Sequence, residues 1–328
     1  MRRETIKEIG EKELIKRISK YMPRGQTSDD CAYLKINKEN LLLNTDLMVE
    51  NTHFNNKIIS AKNLGWKAVS TNFSDLISSG CIEIIGINIG LVLTPNTEWH
   101  WVKELYEGFS EALNKFGGKI LGGDCSRGEN ITISITAIGI QGELSFRRNA
   151  CKPGEVLLTT GIHGLSKLGY LIKDNQINST KLQIPKQLVE QSINAFCRPE
   201  PKYDTLRKII SLYKEKNFTT IGCTDSSDGF YQGILDLATE SNCKAILDYK
   251  KIPKHIHWPK GDKWDEYYFY GGEDYELIFS LPKNYAIKLL EIDKKVTEIG
   301  FFTKGNSSVE IRNYPSDKLT KNSSYSHF

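Results

Sequence analysis

The chain has 328 residues, 39% of them hydrophobic and 26% charged, with a formal net charge of +4. That length and composition fit a globular protein with room for two domains, each with its own core, and the small, scattered charge gives no basis for a nucleic-acid groove or a membrane-binding face. The longest nearly apolar run, Ile84 to Leu93, is too short to span a bilayer, and Met1-Arg2-Arg3-Glu4 leads into a charged amphipathic segment, so cytoplasmic residence is the default expectation.

Taken in order, Glu11 to Met22 carries Leu14, Ile15, Ile18 and Met22 on one stripe and predicts a helix stopped by Pro23-Arg24-Gly25. A polar segment then presents Asp29-Asp30. Leu41-Leu42-Leu43 predicts a short strand that delivers Asn44-Thr45-Asp46, with His53 following in a polar turn. Ala61 to Ser79 predicts a helix with Val69, Phe73, Leu76 and Ile77 on its core face. Asp75 falls on the opposite, polar face with Thr71, Asn72 and Ser79. Ile84 to Thr94 predicts a strand and Trp99 to Phe116 a long helix containing Tyr106, ended by Gly117-Gly118. In Ile120-Leu121-Gly122-Gly123-Asp124 the paired glycines predict positive φ and a close approach of the backbone to a ligand. Ile131 to Gly142 predicts another strand, and Lys152-Pro153-Gly154, just after Arg147-Arg148, marks the expected boundary between domains 1–150 and 151–328.

The second half restarts with a strand over Val156 to Thr160, a glycine-bearing turn and helix over Gly161 to Lys173, and a helix over Lys186 to Phe196 broken by Arg198-Pro199-Glu200-Pro201. A further helix precedes the apolar run Phe218 to Ile221, which leads into Gly222-Cys223-Thr224-Asp225-Ser226-Ser227-Asp228-Gly229-Phe230. Because Phe230, Ile234, Leu237 and Ala238 then recur at helical spacing, this stretch reads as a strand-to-helix turn holding two carboxylates and two hydroxyls. An Asp cap on the helix is the plainer reading of the same residues. Ala245 to Tyr249 predicts a strand and Lys250 to Asp265 a loop, whose His255 and His257 lack further metal ligands nearby. Tyr270-Gly271-Gly272-Glu273-Asp274-Tyr275-Glu276 leads into a strand over Leu277 to Leu281. Seven dispersed cysteines, none paired at the spacing of zinc or redox motifs, read as reduced thiols.

Asp30, Asp46, Asp75, Asp124, Asp225 and Asp228 thus each sit at a strand end, on a polar helix face or beside glycines. Carboxylates held close resist joint ionisation, and divalent cations resolve that repulsion. Oxygen ligands without a His or Cys cluster select Mg²⁺, Mn²⁺ or Ca²⁺ over zinc, and clustered Mg²⁺ with an arginine is the equipment of phosphoryl transfer. The sequence nevertheless has no Walker loop, no dinucleotide fingerprint and no protein-kinase catalytic set.

Ser28-Asp29-Asp30, Thr45-Asp46 with His53-Phe54, Asn72-Phe73-Ser74-Asp75-Leu76, Gly122-Gly123-Asp124 with Arg127-Gly128, Arg148 before Lys152-Pro153-Gly154, Asp225-Ser226-Ser227-Asp228-Gly229 and Gly271-Gly272-Glu273-Asp274-Tyr275-Glu276-Leu277, in that order, resemble the thiamine-monophosphate kinase family. That family groups with aminoimidazole ribonucleotide synthetase and selenophosphate synthetase. The resemblance implies an α+β fold of two domains: an N-terminal sheet domain that dimerises, and a C-terminal sheet-plus-helices domain that completes the site. It implies ATP and several Mg²⁺ bound in a cleft, with Asp30, Thr45, Asp46, Asp75, Asp124, Asp225 and Asp228 as metal ligands. Tyr106, Gly123, Asp124, Arg148 and Ser227 would contact ATP, and His53, Glu273 and Tyr325 would line the acceptor site. No residue is implied as general acid or base; Arg148 and the metal ligands would stabilise transition-state charge. The implied reaction is direct phosphorylation of thiamine monophosphate to thiamine diphosphate in a homodimer. A sister synthetase and a nucleotide binder without turnover are the alternatives. The chain departs from the family pattern at Ser28, at Ser126 and in Gly161-Ile162-His163-Gly164-Leu165-Ser166.

Overall fold

In Thr132–Gln141 alternate residues Ile133, Ile135, Ala137 and Gly139 are buried while the residues between them are half covered, as in a strand packed on one face only. The computed structural model describes residues 5–21, 29–37, 39–212 and 220–314. Its first half runs α1 (Ile6–Ile18), β1 (Ala32–Ile36), β2 (Glu39–Val49), α2 (Ala61–Ser78), β3 (Cys81–Leu93), α3 (Trp99–Phe116), β4 (Ile120–Arg127) and β5 (Thr132–Gln141). The strands lie in the order β1-β2-β5-β3-β4, with β3 and β4 parallel and the other pairs antiparallel.

Helices α2 and α3 share one core with that sheet, joining Leu64, Val69, Phe73, Leu105 and Phe109 to Ile87, Ile89, Leu91, Ile133 and Ile135. The two helices cross with their backbones nearly touching. A Cβ at Gly65 would lie 2.1 Å from the Leu105 carbonyl oxygen, and one at Gly108 would lie 2.0 Å from that of Lys62, so only glycine fits at either position.

The second half runs β6 (Ser145–Arg147), β7 (Val156–Thr160), α4 (Leu165–Lys173), α5 (Lys186–Cys197), α6 (Tyr203–Leu212), β8 (Thr220–Asp225), α7 (Phe230–Glu240), β9 (Lys244–Asp248), α8 (Asp262–Tyr270), β10 (Leu277–Leu281), α9 (Lys283–Ile292), β11 (Val296–Thr303) and β12 (Ser308–Arg312). A 7-stranded sheet takes the order β12-β9-β11-β7-β10-β8-β6. Phe230, Ile234, Leu237, Tyr268 and Phe269 pack with Ile278, Ile299 and Phe302 in one cluster, while Leu206, Ile209, Tyr285 and Leu289 pack with Leu158, Ile221 and Phe279 in another. Two sheets, each with its own helices, make the fold α+β. Because β6 pairs with β8, the chain enters the second sheet ahead of the Lys152-Pro153-Gly154 turn.

Several elements differ from the sequence expectation. The first helix lies earlier than expected and breaks at Gly10 (φ 72°); Met22 falls outside the described residues. The glycine-bearing turn ahead of α4 is as expected: Gly161 and Gly164 take positive φ and the helix begins at Leu165. The expected loop over Lys250 to Asp265 runs at its end into α8. Among the described residues no helix is long and apolar enough to cross a membrane.

Candidate active site

Strand β8 is buried from Ile221 onward and ends on Asp225, which is 2% exposed. The turn into α7 then carries Ser226 to Gly229. Asp225 is held from both halves of the chain: Ser74 Oγ on α2 donates to its Oδ2 at 2.5 Å, and the Ser227 hydroxyl and N–H donate to its Oδ1 at 2.7 and 3.2 Å. Four residues on from Ser74, Ser78 donates to Asp30 Oδ2 at 2.9 Å. Asn44 Nδ2, on β2, donates to Asp75 Oδ2 at 2.9 Å and to Asn72 Oδ1 at 3.1 Å. The result is that one carboxylate oxygen each of Asp30, Asp75 and Asp225 lies within 4.8 Å of the others. The face of α2 that the sequence marks as polar is therefore not solvent-facing: Thr71, Asn72, Ser74, Ser78 and Ser79 are buried, with Asn44 of β2 against Asn72, Gln141 of β5 against Ser79 and Asp225 of β8 against Ser74.

One cation is built into this group. The Arg148 guanidinium pairs with Asp30, its Nε donates to Thr224 Oγ1 at 3.1 Å, and its backbone N–H donates to Asp29 Oδ1 at 2.7 Å. It does not offset the burial of so many acids. Burial, with Asp30 and Asp228 nearby, raises Asp46 to about 6. Burial and Asp30 raise Asp225 to about 6 against the hydrogen bonds from Ser74 and Ser227. Asp75 is pushed well above the usual carboxylate range by burial, then by Asp46, Asp225 and Asp30. Asn44 Oδ1 is buried and accepts no hydrogen bond among the described residues. Clustered carboxylates that resist ionisation, with an orphaned amide oxygen beside them, fit a hard divalent cation such as Mg²⁺.

Asp46 and Asp228 stand beside this group, and other expected residues stand elsewhere. Asp46 pairs in register with Ile135, Ile135 with Ile89, and Ile89 with Gly123, so Asp46 points to the helix side and Asp124, one residue past Gly123, to the open side. With β5 and β3 between β2 and β4, Asp46 and Asp124 are about 14 Å apart across the sheet. Gly122 and Gly123 lie in β4 without positive φ. The close approach at Gly123 is to the neighbouring strand, where a Cβ would meet the Ile89 carbonyl oxygen at 2.0 Å. Thr45 Oγ1 bonds Thr136 Oγ1 at 2.8 Å on the open face, away from the acidic group. Tyr106 lines a cavity of about 970 Å³ on the helix side of the β3–β4 edge, with Trp99, Val102, Leu91, Cys125 and the lysines Lys62 and Lys103. Asp228 is exposed next to the buried turn. His53 sits in the turn after β2, its Nδ1 accepting the Val49 N–H at 3.0 Å. Tyr325 lies outside the described residues.

The Gly271 to Glu276 stretch does three jobs. Glu273, in left-handed conformation (φ 59°), donates its N–H to the Ser227 carbonyl at 2.8 Å and pairs with Lys67 at 3.0 Å. Asp274 accepts the N–H groups of Gly164 and Ser166 at 2.6 and 2.9 Å, which ties up the backbone donors of the loop that departs from the family pattern. Glu276 accepts from Thr160 Oγ1 at 2.5 Å and pairs with Lys202 at 2.9 Å. The sequence reading gives no role to Asn44 or Ser74, though both stand in its motifs, and does not single out Lys67 or Ser78. A signal existed in α2, where Lys67, Thr71, Ser74 and Ser78 recur at helical spacing within a largely apolar segment.

Residues 28–141, which hold the first sheet and its helices, match the family model for the AIR synthase related protein, N-terminal domain. The chain is 39% identical to the thiamine-monophosphate kinase of Prochlorococcus marinus, over 99% of this chain and 98% of that one. It belongs to the thiamine-monophosphate kinase family. Its fold is similar to that of AaThiL complexed with AMPPCP and TMP (TM-score 0.84, 26% identity, 100% of both chains). It is likewise similar to the thiamine monophosphate kinase of Aquifex aeolicus (TM-score 0.78, 26% identity, 94% of this chain and 98% of that one).

Proposed function

We propose that the chain transfers the γ-phosphoryl group of ATP to thiamine monophosphate, giving ADP and thiamine diphosphate. The observation that carries this reading is the convergence of Asp30, Asp75 and Asp225 beside Arg148, in a chain whose relatives of matching length are thiamine-monophosphate kinases. Asp30, Asp75 and Asp225, with Asp46 and Asp228 beside them, would hold several Mg²⁺ ions. Bound there, Mg²⁺ would neutralise the triphosphate and the charge that spreads over the transferring group.

The chain's own part is orientation. Ser74, Ser78, Ser227 and Asn44 fix the carboxylates, and Arg148 presents a guanidinium whose planar donors suit phosphate oxygens. The attacking atom is a phosphate oxygen already ionised near neutral pH, so no side chain has to remove a proton. Transfer is direct and in line, because bringing two polyanions together against their repulsion is the whole task.

A second copy completes the nucleotide site. Every residue of β4 is exposed, and the open face of the first sheet shows Leu47 at 55% exposure. A full-length exposed edge strand is a surface that proteins ordinarily cover. A partner packed on that face and edge would bring its Asp124 and its Tyr106 cavity to this copy's acidic group, which one copy cannot do across about 14 Å of sheet. The test is Mg²⁺-dependent formation of thiamine diphosphate by the wild type and its loss in Asp225→Asn. Formation without Mg²⁺, or full activity in that variant, would overturn the reading.

A further inference from the structure

One polar stripe on α2 links the two ends of the site. At one end Ser74 and Ser78 hold Asp225 and Asp30. At the other, the Lys67 side chain is only 4% exposed, with its ammonium 3.0 Å from Glu273 Oε2 and 4.2 Å from the centroid of the Phe196 ring. From Lys67 to Ser74 the helix rises about 10 Å. Glu273, whose side chain is 42% exposed, is thus fixed twice, by its N–H on the Ser227 carbonyl and by Oε2 on Lys67. Its Oε1 has no protein donor among the described residues.

A buried ammonium is a poor way to gain stability here. An apolar side chain of similar length packed on Phe196 would do as well or better, since it removes the desolvated ammonium and leaves behind a Glu273 carboxylate that is 42% exposed and open to water. What the charge does provide is a fixed direction for the Glu273 carboxylate. A rise of about 10 Å along α2 is on the scale of an acceptor that puts a phosphate near Asp225 and a hydrogen-bond donor near the Glu273 carboxylate. In thiamine monophosphate the phosphate and the aminopyrimidine N–H groups occupy opposite ends of a two-ring molecule.

We propose that Lys67 is a positioning residue that fixes Glu273 as the far anchor of the acceptor, and so makes the site select a two-ring phosphate ester over a one-ring ester that cannot span the distance. The inference rests on the thiamine monophosphate reading. The experiment compares wild type, Lys67→Met, Lys67→Arg, Glu273→Gln and the Lys67→Met/Glu273→Gln double variant. Each is assayed with thiamine monophosphate and with hydroxyethylthiazole phosphate, the half lacking the pyrimidine, alongside KM for ATP and the melting temperature.

Lys67→Met should melt at or above the wild-type temperature, yet raise KM for thiamine monophosphate about tenfold, the scale of a hydrogen bond to a charged group, with KM for ATP unchanged. Its preference for the two-ring ester should collapse by a similar factor. Lys67→Arg should recover most of that preference, and the double variant should be no worse than the worse single variant. Unchanged acceptor KM in Lys67→Met, an equal rise in both KM values, additive losses, or no recovery with Lys67→Arg would each overturn the proposal. If Lys67→Met fails to fold, Glu273→Gln decides: retained preference for the two-ring ester refutes the anchor. A wild type that makes no thiamine diphosphate refutes the function itself, before any variant is compared.

Discussion

Replacing Asp225 with Asn should stabilise the metal-free protein and abolish turnover. Asp225 is fully enclosed, and its acid is raised from 3.8 to about 6, so the folded state resists its ionisation by on the order of 3 kcal/mol at neutral pH. A raised carboxyl favours folding fully below the unfolded value and loses that contribution as pH rises through the folded one. The metal-free wild type should therefore lose stability between about pH 4 and pH 6. Asn carries no charge at any pH and keeps the local bonds: Ser227 can still donate to Oδ1, and the Ser74 hydroxyl can turn to accept from Nδ2. Urea unfolding in chelator at pH 7.5 should show the variant more stable than wild type by roughly 2–3 kcal/mol, with the gap narrowing at pH 5. Saturating Mg²⁺ should reverse the order, because a cation bound to the folded state stabilises only the chain that can hold it. A variant markedly less stable than wild type in chelator would mean that Asp225 is a structural cap on α7, and the metal-site argument would fail.

Glu273→Ala should weaken use of thiamine monophosphate by about 1–3 kcal/mol in kcat/KM with little effect on ATP, whereas Asp228→Ala should damage ATP binding whatever the acceptor; steady-state kinetics with each substrate varied in turn separates them. Incubation with γ-labelled ATP alone should leave the protein unlabelled, since the acceptor needs no activation; covalent label on the chain would contradict direct transfer. Asp124→Asn and Asp225→Asn should each be inactive, but co-expressed subunits should recover about a quarter of wild-type activity, because half the dimers are hybrids with one intact site. No recovery would place both residues in the same subunit's site.

Much of the fold was legible in the sequence because its periodicities were strong. Trp99–Phe116 and Val156–Thr160 fall where their patterns place them. Helix α8 was hidden because Asp262–Tyr270 is crowded with aromatics of modest helix propensity and no clear stripe; packing of Tyr268 and Phe269 into the second core decides it. The acids were visible as residues, and their grouping was not. Asp75 reads as surface because polarity of a helix face looks the same whether water or another part of the protein covers it. Lys67 was invisible for the same reason: nothing local shows that its partner is Glu273, far along the chain. Asp124 sits among the candidate ligands in sequence, yet stands at the far edge of the sheet, a separation that only strand order reveals.

The central claim is phosphoryl transfer from ATP to thiamine monophosphate, and the most direct test follows the label. With γ-labelled ATP, Mg²⁺ and thiamine monophosphate, the label should appear in thiamine diphosphate in step with ADP. Label released only as inorganic phosphate, or ATP consumed with thiamine monophosphate unchanged, would contradict it.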